Sequence, residues 1–263
     1  MSKVAIVTGG SSGIGLSTAR FLRDAGCVVY TFSRREAAES GIRHITVDVT
    51  DEQAVCEAVS SVYRQTGRID ILVNSAGMGI AGAVEFTDTR DAQRQFNVNF
   101  FGMVRMCKAV LPLMRQNGAG RIVNIGSVAG VIPLPFQSYY AAAKAAVNSY
   151  TMSLANEVRP FGITVCALMP GDIRTGFTAA REKSFAGDDI YGGRILKSVS
   201  VMEKDERNGM PPEKVGTFAA RLCLRKRVKP LCSLGYGYRL VCLLARILPS
   251  GVLNRIIGLL YAS

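Results

Sequence analysis

The chain has few of the residues that build metal sites and disulfide frameworks. Its 263 residues include a single histidine, and its seven cysteines show no Cys-x-x-Cys spacing. An odd number of irregularly spaced cysteines favours neither a disulfide framework nor a zinc site. We therefore expect no metal, and the cysteine usage is typical of a reducing cytoplasm.

Long apolar runs are also missing. No uninterrupted apolar stretch approaches the roughly 18 residues that a membrane-spanning helix needs. The apolar stretch near the N-terminus, residues 4–7, is too short for the core of a signal peptide. These absences predict a cytoplasmic protein.

Acidic residues are absent after Glu213, although the chain as a whole has a net charge of +12. Nine positive charges fall in that acid-free segment: Lys214, Arg221, Arg225, Lys226, Arg227, Lys229, Arg239, Arg246 and Arg255. They are mixed with leucine and isoleucine and form no nucleic-acid recognition motif, so we expect no nucleic-acid partner.

Short apolar runs alternate with helical patterns along most of the chain. Because the runs are apolar throughout, they are typical of buried parallel strands. Strands are predicted at residues 3–8, 27–32, 43–49, 69–74, 121–127, 162–169 and 230–234. Helices are predicted at residues 16–25, 51–66, 91–114 and 212–227, and from the alanine-rich run after Tyr140 to about Arg159.

This alternation predicts an α/β protein. The expected architecture is a single Rossmann-like, doubly wound parallel sheet of about seven strands with helices on both faces. No linker divides the chain, so we expect one domain over residues 1–263, ending in a basic, apolar helical tail at about 236–263. Residues 176–211 have a poor pattern and are expected to form a flexible loop of the kind that serves as a lid.

The turn after the first strand is rich in glycine. The segment Gly9-Gly-Ser-Ser-Gly13-Ile-Gly15 leads from a strand into a helix, and a second strand follows. In such a βαβ unit phosphates bind at the N-terminus of the helix. A tight turn without a ligand is the alternative, but the context favours a dinucleotide site.

Basic residues follow the second strand, where an acid would select a free ribose 2′-hydroxyl. The sequence there is Ser33-Arg34-Arg35. Arginine neutralises a 2′-phosphate, so this segment predicts NADP(H) rather than NAD(H). The alternative is a solvated arginine pair with Glu36 as an ion-pair partner.

A serine, a tyrosine and a lysine fall within one short span. Tyr140 and Lys144 are four residues apart in an alanine-rich helix and share a face, whereas Tyr139 does not align with the lysine. A fixed cation stabilises a phenolate, so we expect Lys144 to lower the pKa of Tyr140 and make it a general acid or base. Ser127 lies within reach to hold a carbonyl oxygen. The alternative is an ordinary surface tyrosine and lysine.

Together these motifs resemble those of the short-chain dehydrogenases/reductases, over nearly the whole chain. The resemblance implies a catalytic set of Asn99, Ser127, Tyr140 and Lys144. It implies cofactor contacts from Gly9, Ser11, Ser12, Gly13, Ile14, Gly15, Ser33, Arg34, Arg35, Asp48, Val49, Asn74, Ala76, Gly77, Tyr140, Lys144, Pro170, Gly171, Ile173 and Thr175. Ser75 departs from the family pattern, since it replaces the second asparagine of an Asn-Asn-Ala-Gly segment.

The resemblance also implies roles for these residues. Ser127 would polarise a carbonyl, Tyr140 would exchange a proton with its oxygen, and the nicotinamide would exchange a hydride with its carbon. Lys144 would hold the nicotinamide ribose, and Asn99 would support a water relay to it. A homodimer or homotetramer is expected, and so is NADPH-dependent reduction.

The substrate is predicted to be a lipophilic ketone or secondary alcohol. Val131 to Phe136, with Met169 and Phe177, suggests an apolar pocket, or else plain core packing. The pattern is similar to the hydroxysteroid and retinol dehydrogenase branch, with steroid, bile acid, retinoid and acylated ketone substrates open. A non-catalytic NADP(H)-binding sensor or scaffold is the alternative function.

The tail, residues 238–262, is predicted to form two short helices divided by Pro249-Ser250-Gly251. Arg239 and Arg246 are seven residues apart and lie on one side of the first helix. With no acids nearby, this segment is suited to peripheral contact with an anionic membrane. The alternatives are a cap on the substrate pocket or contact with a second subunit.

Overall fold

The computed structural model describes residues 2–262, which surround a seven-stranded parallel sheet. The strands occur in the order β3-β2-β1-β4-β6-β7-β9. Their bounds are β1 Val4–Thr8, β2 Val28–Ser33, β3 Ile42–Thr46, β4 Ile71–Asn74, β6 Gly120–Ile125, β7 Ile163–Met169 and β9 Leu231–Ser233. Two short strands, β5 Ile80–Ala81 and β8 Glu182–Lys183, pair with each other apart from the main sheet. The predicted sheet is confirmed, including the edge strand β9.

Ten α-helices are found in the described chain. They are α1 Gly13–Asp24, α2 Glu52–Thr66, α3 Thr89–Phe96, α4 Gly102–Gln116, α5 Ser138–Val158, α6 Phe177–Ala180, α7 Arg194–Arg207, α8 Pro212–Leu224, α9 Tyr236–Ile247 and α10 Ser250–Tyr261. Short 3-10 turns occupy Val84–Phe86, Val128–Gly130 and Arg159–Phe161. The two predicted tail helices are α9 and α10.

The sheet separates two hydrophobic cores because side chains alternate between the faces of a strand. In β1, Val4 and Ile6 pack in one core with residues of α2, α4 and α5. Ala5 and Val7 pack in the other core with residues of α1 and α8. All five residues of β1 are buried, which explains why this strand is apolar throughout.

Two predicted elements differ from the structure. The helix predicted at residues 91–114 is interrupted by a π-helical turn, Asn97–Phe101, between α3 and α4. The segment predicted as a flexible loop, residues 176–211, contains the 14-residue helix α7. Its residues Ile195, Val199 and Met202 are buried at helical spacing, so the apolar face of α7 packs on the body of the protein.

Candidate active site

The carboxyl ends of the strands place the predicted residues along one edge of the sheet. Thr8, Ser33 and Asn74 end β1, β2 and β4, while Ser127 and Pro170 follow β6 and β7. Since every strand of this sheet is parallel to its neighbours, these ends lie at the same edge, where open α/β sheets bind ligands.

Two glycines of the turn after β1 have no room for a side chain. Gly9 has a φ of +64°, and a Cβ at this position would lie 2.9 Å from the backbone of Ala76. A Cβ on Gly15 would lie 2.3 Å from the carbonyl oxygen of Gly9. The turn therefore presses against the loop after β4, and both contacts require glycine.

The N-terminus of α1 is open towards a ligand. Ser12 is the residue that precedes the helix, yet its side chain makes no capping hydrogen bond, and the first turn contains no acid. Gly13 has a φ of +53° and lies close to Thr175 from the loop after β7. Free N–H groups at a helix N-terminus fit an anionic phosphate, so this end of the sheet fits a dinucleotide.

Hydrogen bonds fix the neighbouring strand ends. The Thr8 hydroxyl accepts from the backbone N–H groups of Ser75 and Ala76 at 3.0 and 3.1 Å. The Asn74 side chain donates to Asn124 at 2.9 Å, and Asn124 donates to Thr151 of α5 at 2.9 Å. The sequence analysis did not find Asn124 or Thr151, although a buried amide at a strand end was a usable signal.

The arginines after β2 are exposed. Arg34 and Arg35 both face solvent, and the Ser33 hydroxyl donates to the Arg35 carbonyl at 2.7 Å. Within residues 2–262 neither Arg34 nor Arg35 forms an ion pair, with Glu36 or with any other acid, and Glu39 pairs with Arg20. Both guanidinium groups are therefore accessible to a ligand.

Asp48 and Val49 lie beyond β3, at the same edge. Burial tends to raise the pKa of Asp48, but hydrogen bonds from Thr50 and the charge of Arg34 outweigh it and lower the pKa overall. Val49 is buried against Gly102 of α4. Asp48 is thus held as a carboxylate close to the exposed arginine.

Ser127 lies beside Tyr140, close enough for its hydroxyl to influence the pKa of the phenol. Ser127 accepts from the backbone N–H of Ala129 at 3.0 Å, which fixes its side chain. Burial raises the pKa of Tyr140 to about 12, while Arg181 and the Ser127 hydroxyl act in the opposite direction. Tyr140 is therefore a protonated phenol at neutral pH.

Lys144 lies beside Tyr140 but does not lower its pKa as predicted. The ammonium is 5.7 Å from the ring centroid of Tyr140 and donates to the Ile125 carbonyl at 2.8 Å. The predicted direction is wrong because the burial of Tyr140 itself outweighs the effects of neighbouring groups and raises its pKa. Loss of hydration lowers the pKa of Lys144 to about 8, so the side chain remains mostly an ammonium at neutral pH.

Asn99 acts on the loop after β4. It lies in the π-helical turn, where its side chain accepts from the Met78 N–H and donates to the Met78 carbonyl, both at 2.8 Å. It also lines a cavity of about 10 Å³, about the volume that holds one water molecule. The amide is thus engaged by the backbone, and the side chain positions the Gly77–Met78 segment.

Arg181 and Glu206 lie in the segment that was predicted as a flexible loop, and both influence Tyr140. Neither was identified from the sequence. Arg181 and Glu206 form a buried ion pair, and Thr178 donates to Glu206 at 2.6 Å. The positive charge of Arg181 lowers the pKa of Tyr140 and the negative charge of Glu206 raises it. They are 25 residues apart, so no local pattern in the sequence joins them.

The predicted apolar pocket is only partly formed. Phe177 lies against Tyr140, with 5.8 Å between the ring centroids. Phe136 packs with Ala83 and Ile195 in a small core, and Leu134 packs beside a neighbouring one. The alternative of core packing therefore applies to Leu134 and Phe136, because α7 covers them.

The loop after β7 is joined to the tail. The ring of Tyr238, in α9, lies against Gly171, where a Cβ would meet it at 2.0 Å. The Tyr238 hydroxyl donates to the Asp172 carboxylate at 2.7 Å and accepts from the Asp172 N–H at 3.0 Å. Ile173 is bridged to Met210. The tail thus holds the Pro170–Thr175 loop in place.

Residues 3–185 match the family model described as short chain dehydrogenase. The chain is a short-chain dehydrogenase/reductase. As such it is an oxidoreductase that uses a nicotinamide cofactor and acts on a carbonyl or a CH–OH group. Members of this family are typically oligomeric.

Known proteins resemble the chain over most of its length. A 3-ketodihydrosphingosine reductase of Bacteroides thetaiotaomicron is 44% identical over 227 residues, which cover 85% of this chain and 84% of the relative. A short-chain dehydrogenase of Streptomyces avermitilis superposes with a TM-score of 0.84 at 31% identity and covers 97% of this chain and 94% of its own.

The family fold alone does not select the cofactor. A 3-ketoacyl-(acyl-carrier-protein) reductase of Brucella melitensis, complexed with NADH, superposes with a TM-score of 0.76 at 26% identity. It covers 90% of this chain and 98% of its own. Structural similarity to members of the family therefore does not distinguish NADH from NADPH.

Proposed function

We propose that this short-chain dehydrogenase/reductase reduces a long-chain lipid ketone with NADPH, and that the ketone carries a neighbouring amino group, as in a sphingoid base. The observation that carries the reductase assignment is the placement of Tyr140 beside Ser127 and Lys144, at the sheet edge where the glycine turn lies. The similarity to a 3-ketodihydrosphingosine reductase supports the class of substrate.

The proton chemistry follows from the state of Tyr140. Ser127 and Tyr140 together offer two hydroxyl groups to one carbonyl oxygen. Carbonyl reduction needs a proton donor, and a phenol whose pKa is raised to about 12 keeps its proton at neutral pH. As hydride adds to the carbon, negative charge develops on the oxygen, and Tyr140 gives that oxygen its proton. The bound nicotinamide supplies the hydride.

Lys144 supports this step from the buried side of Tyr140. Its hydrogen bond to the Ile125 carbonyl holds the ammonium in place. Once Tyr140 has given up its proton, a nearby ammonium is favoured because it stabilises the phenolate. Asn99 fixes the loop after β4, and so we assign it a positioning role.

The residues that would hold the cofactor lie along the same edge. The glycine turn Gly9–Gly15 and the open N-terminus of α1 suit the pyrophosphate. Arg34 and Arg35, exposed after β2, suit a 2′-phosphate. This arrangement supports NADPH over NADH.

Glu206 supports an amino group on the substrate. Its carboxylate lies close enough to Tyr140 to raise the pKa of the phenol, and it is held between Arg181 and Thr178. An ammonium next to the reacting ketone would share the Glu206 carboxylate with Arg181, in a poorly hydrated site where ion pairs are stronger than in water.

A substrate panel tests this assignment. Purified protein is incubated with NADPH or NADH and with 3-ketodihydrosphingosine, a long-chain ketone without an amine, a steroid ketone, a retinoid and a small ketone. We expect turnover of the amino ketone with NADPH, and none with Tyr140→Phe. Turnover of the steroid alone would move the substrate class to the hydroxysteroid branch.

The variant Glu206→Gln tests the contribution of the amino group to binding separately from that of the rest of the substrate. The variant should raise the KM for the amino ketone about tenfold while changing the KM of the long-chain ketone without an amine much less. Tight NADPH binding with no turnover of any substrate would instead favour the non-catalytic sensor.

A further inference from the structure

The tail helices carry apolar stripes that face away from the protein. In α9 the residues Tyr236, Leu240, Leu243, Leu244 and Ile247 are all exposed, with exposed fractions of 89% for Tyr236 and 68% for Ile247. Their spacing of three or four residues places them on one side of the helix. A soluble protein normally turns such a stripe towards its core.

The second tail helix repeats this arrangement. In α10, Val252, Ile256 and Leu260 follow one another at intervals of four residues and are exposed. Ile257, on another side of the helix, is buried. We call these two rows of exposed side chains, on α9 and α10, the tail stripes.

The outward direction of the stripes is fixed by contacts on the opposite side of the tail. In α9, Tyr238 and Cys242 face the body, and Tyr238 is bonded to Asp172. In α10, the Tyr261 hydroxyl donates to Asp205 of α7 at 3.4 Å, and the Ala262 carbonyl accepts from Arg194. Because both helices are attached to the body in this way, their apolar sides are left facing solvent.

Arginines flank the stripes. Arg239 and Arg246 are two helical turns apart in α9, and Arg255 has the equivalent position beside the stripe of α10. At about 100° per residue, all three project to the same flank of their stripes. No acidic residue follows Glu213, so the positive charge of this surface is not compensated within the tail.

We propose that the tail stripes and their arginines dock this enzyme onto an anionic lipid bilayer. An apolar helical face bordered by arginine is the arrangement that binds in the plane of a membrane interface, and anionic headgroups attract each nearby arginine. Within residues 2–262 no helix is long and apolar enough to cross a membrane.

A second copy of the chain is a poorer occupant of this surface. A twofold contact would bring the same patch of both molecules together. Six arginines would then share one interface to which the segment after Glu213 brings no acid, and like charges oppose such an approach. A negatively charged bilayer offers both the apolar layer and the opposite charge.

Vesicle flotation of the full-length protein tests the proposal. Wild type should float with vesicles that contain phosphatidylglycerol, bind much less to phosphatidylcholine alone, and lose binding in high salt. Leu240→Ser with Ile247→Ser should weaken binding about tenfold or more, because two large apolar side chains are removed. Arg246→Gln and Arg255→Gln should each weaken it about fivefold.

Matched controls use exposed residues outside the tail. Ile190→Ser removes an equally exposed apolar side chain, and Arg64→Gln removes an exposed arginine of α2; both should bind vesicles as wild type does. Circular dichroism and NADPH binding check that each variant is folded, and the readout does not depend on any substrate. The membrane proposal is therefore tested independently of the proposed activity.

Three results would overturn the proposal. The first is that the wild-type protein stays in the soluble fraction. The second is that the stripe variants float as well as the wild type, and the third is that the control variants lose as much vesicle binding as the stripe variants. Light scattering adds a fourth arm: a fall in molecular mass when Leu240 and Ile247 are replaced would assign the stripes to self-association instead.

Discussion

Lys144 is a buried ammonium whose removal should stabilise the protein while it abolishes activity. Its side chain is 6% exposed, and loss of hydration lowers its pKa from 10.5 to about 8. A decrease of this size in the pKa means that protonation of Lys144 is about 3 kcal/mol less favourable in the folded protein than in the unfolded chain. Near neutral pH the fold is destabilised by that amount, because the unfolded chain keeps the proton without penalty.

The substitution Lys144→Met removes the charge and retains most of the volume. It also removes the hydrogen bond from Nζ to the Ile125 carbonyl at 2.8 Å, which costs about 1 kcal/mol. The free energy of unfolding should therefore rise by about 2 kcal/mol near pH 7. Catalysis should be lost, since the lysine supports Tyr140.

The effect should depend on pH with a definite sign. The destabilisation by Lys144 is complete below pH 8, declines between about 8 and 10.5, and vanishes above 10.5, where lysine is neutral in both states. Lys144→Met should thus be more stable than wild type at neutral pH, equal to it near pH 10, and less stable by about 1 kcal/mol beyond that point.

Urea unfolding without nucleotide, followed by circular dichroism across this pH range, measures the difference from the midpoints at unchanged m-value. Lys197→Met, at an exposed lysine of α7, is the matched control and should shift stability by less than about 0.5 kcal/mol at each pH. A destabilised Lys144→Met variant at neutral pH would refute the reasoning, as would a gain in stability that does not change with pH.

Three other predictions concern groups around the site. Arg34→Ala should raise the KM for NADPH about tenfold or more in steady-state kinetics and leave that for NADH nearly unchanged, because only NADPH carries a 2′-phosphate. Glu206→Gln should lower the pKa of Tyr140 and Arg181→Met should raise it, so the pH profiles of alcohol oxidation should move in opposite directions. Gly171→Ala sets a methyl group 2.0 Å from the Tyr238 ring, and calorimetry should show weaker NADPH binding. The further change Tyr238→Ala should restore binding only in part, because it removes the clash but also the hydrogen bonds to Asp172.

The sheet and the strand-end residues were predictable because their signals are local. An apolar run marks a buried strand wherever it occurs, and parallel strands bring their carboxyl ends together without further information. That is why the glycine turn, Asn74 and Ser127 could be assigned to one edge before the structure was known.

Helix α7 was missed for a different reason. Ile195, Val199 and Met202 have helical spacing, but Gly192-Gly193 before them and the polar residues after them obscured the pattern. The missing helix concealed the Arg181–Glu206 pair, since Glu206 reaches the site only when residues 194–207 are helical. Sequence spacing also gave no measure of burial, and burial decides the pKa of both Tyr140 and Lys144.

The tail connects the two proposals through α9. One side of this helix carries Tyr238, whose ring and hydroxyl hold Gly171 and Asp172 in the loop after β7. The other side carries the exposed stripe that includes Leu240 and Ile247. A membrane that fixes the stripe therefore also fixes the helix that supports this loop. A lipid ketone is concentrated in the bilayer by its own apolar chain, so an enzyme that docks through α9 meets its substrate on the same surface that orders its active site.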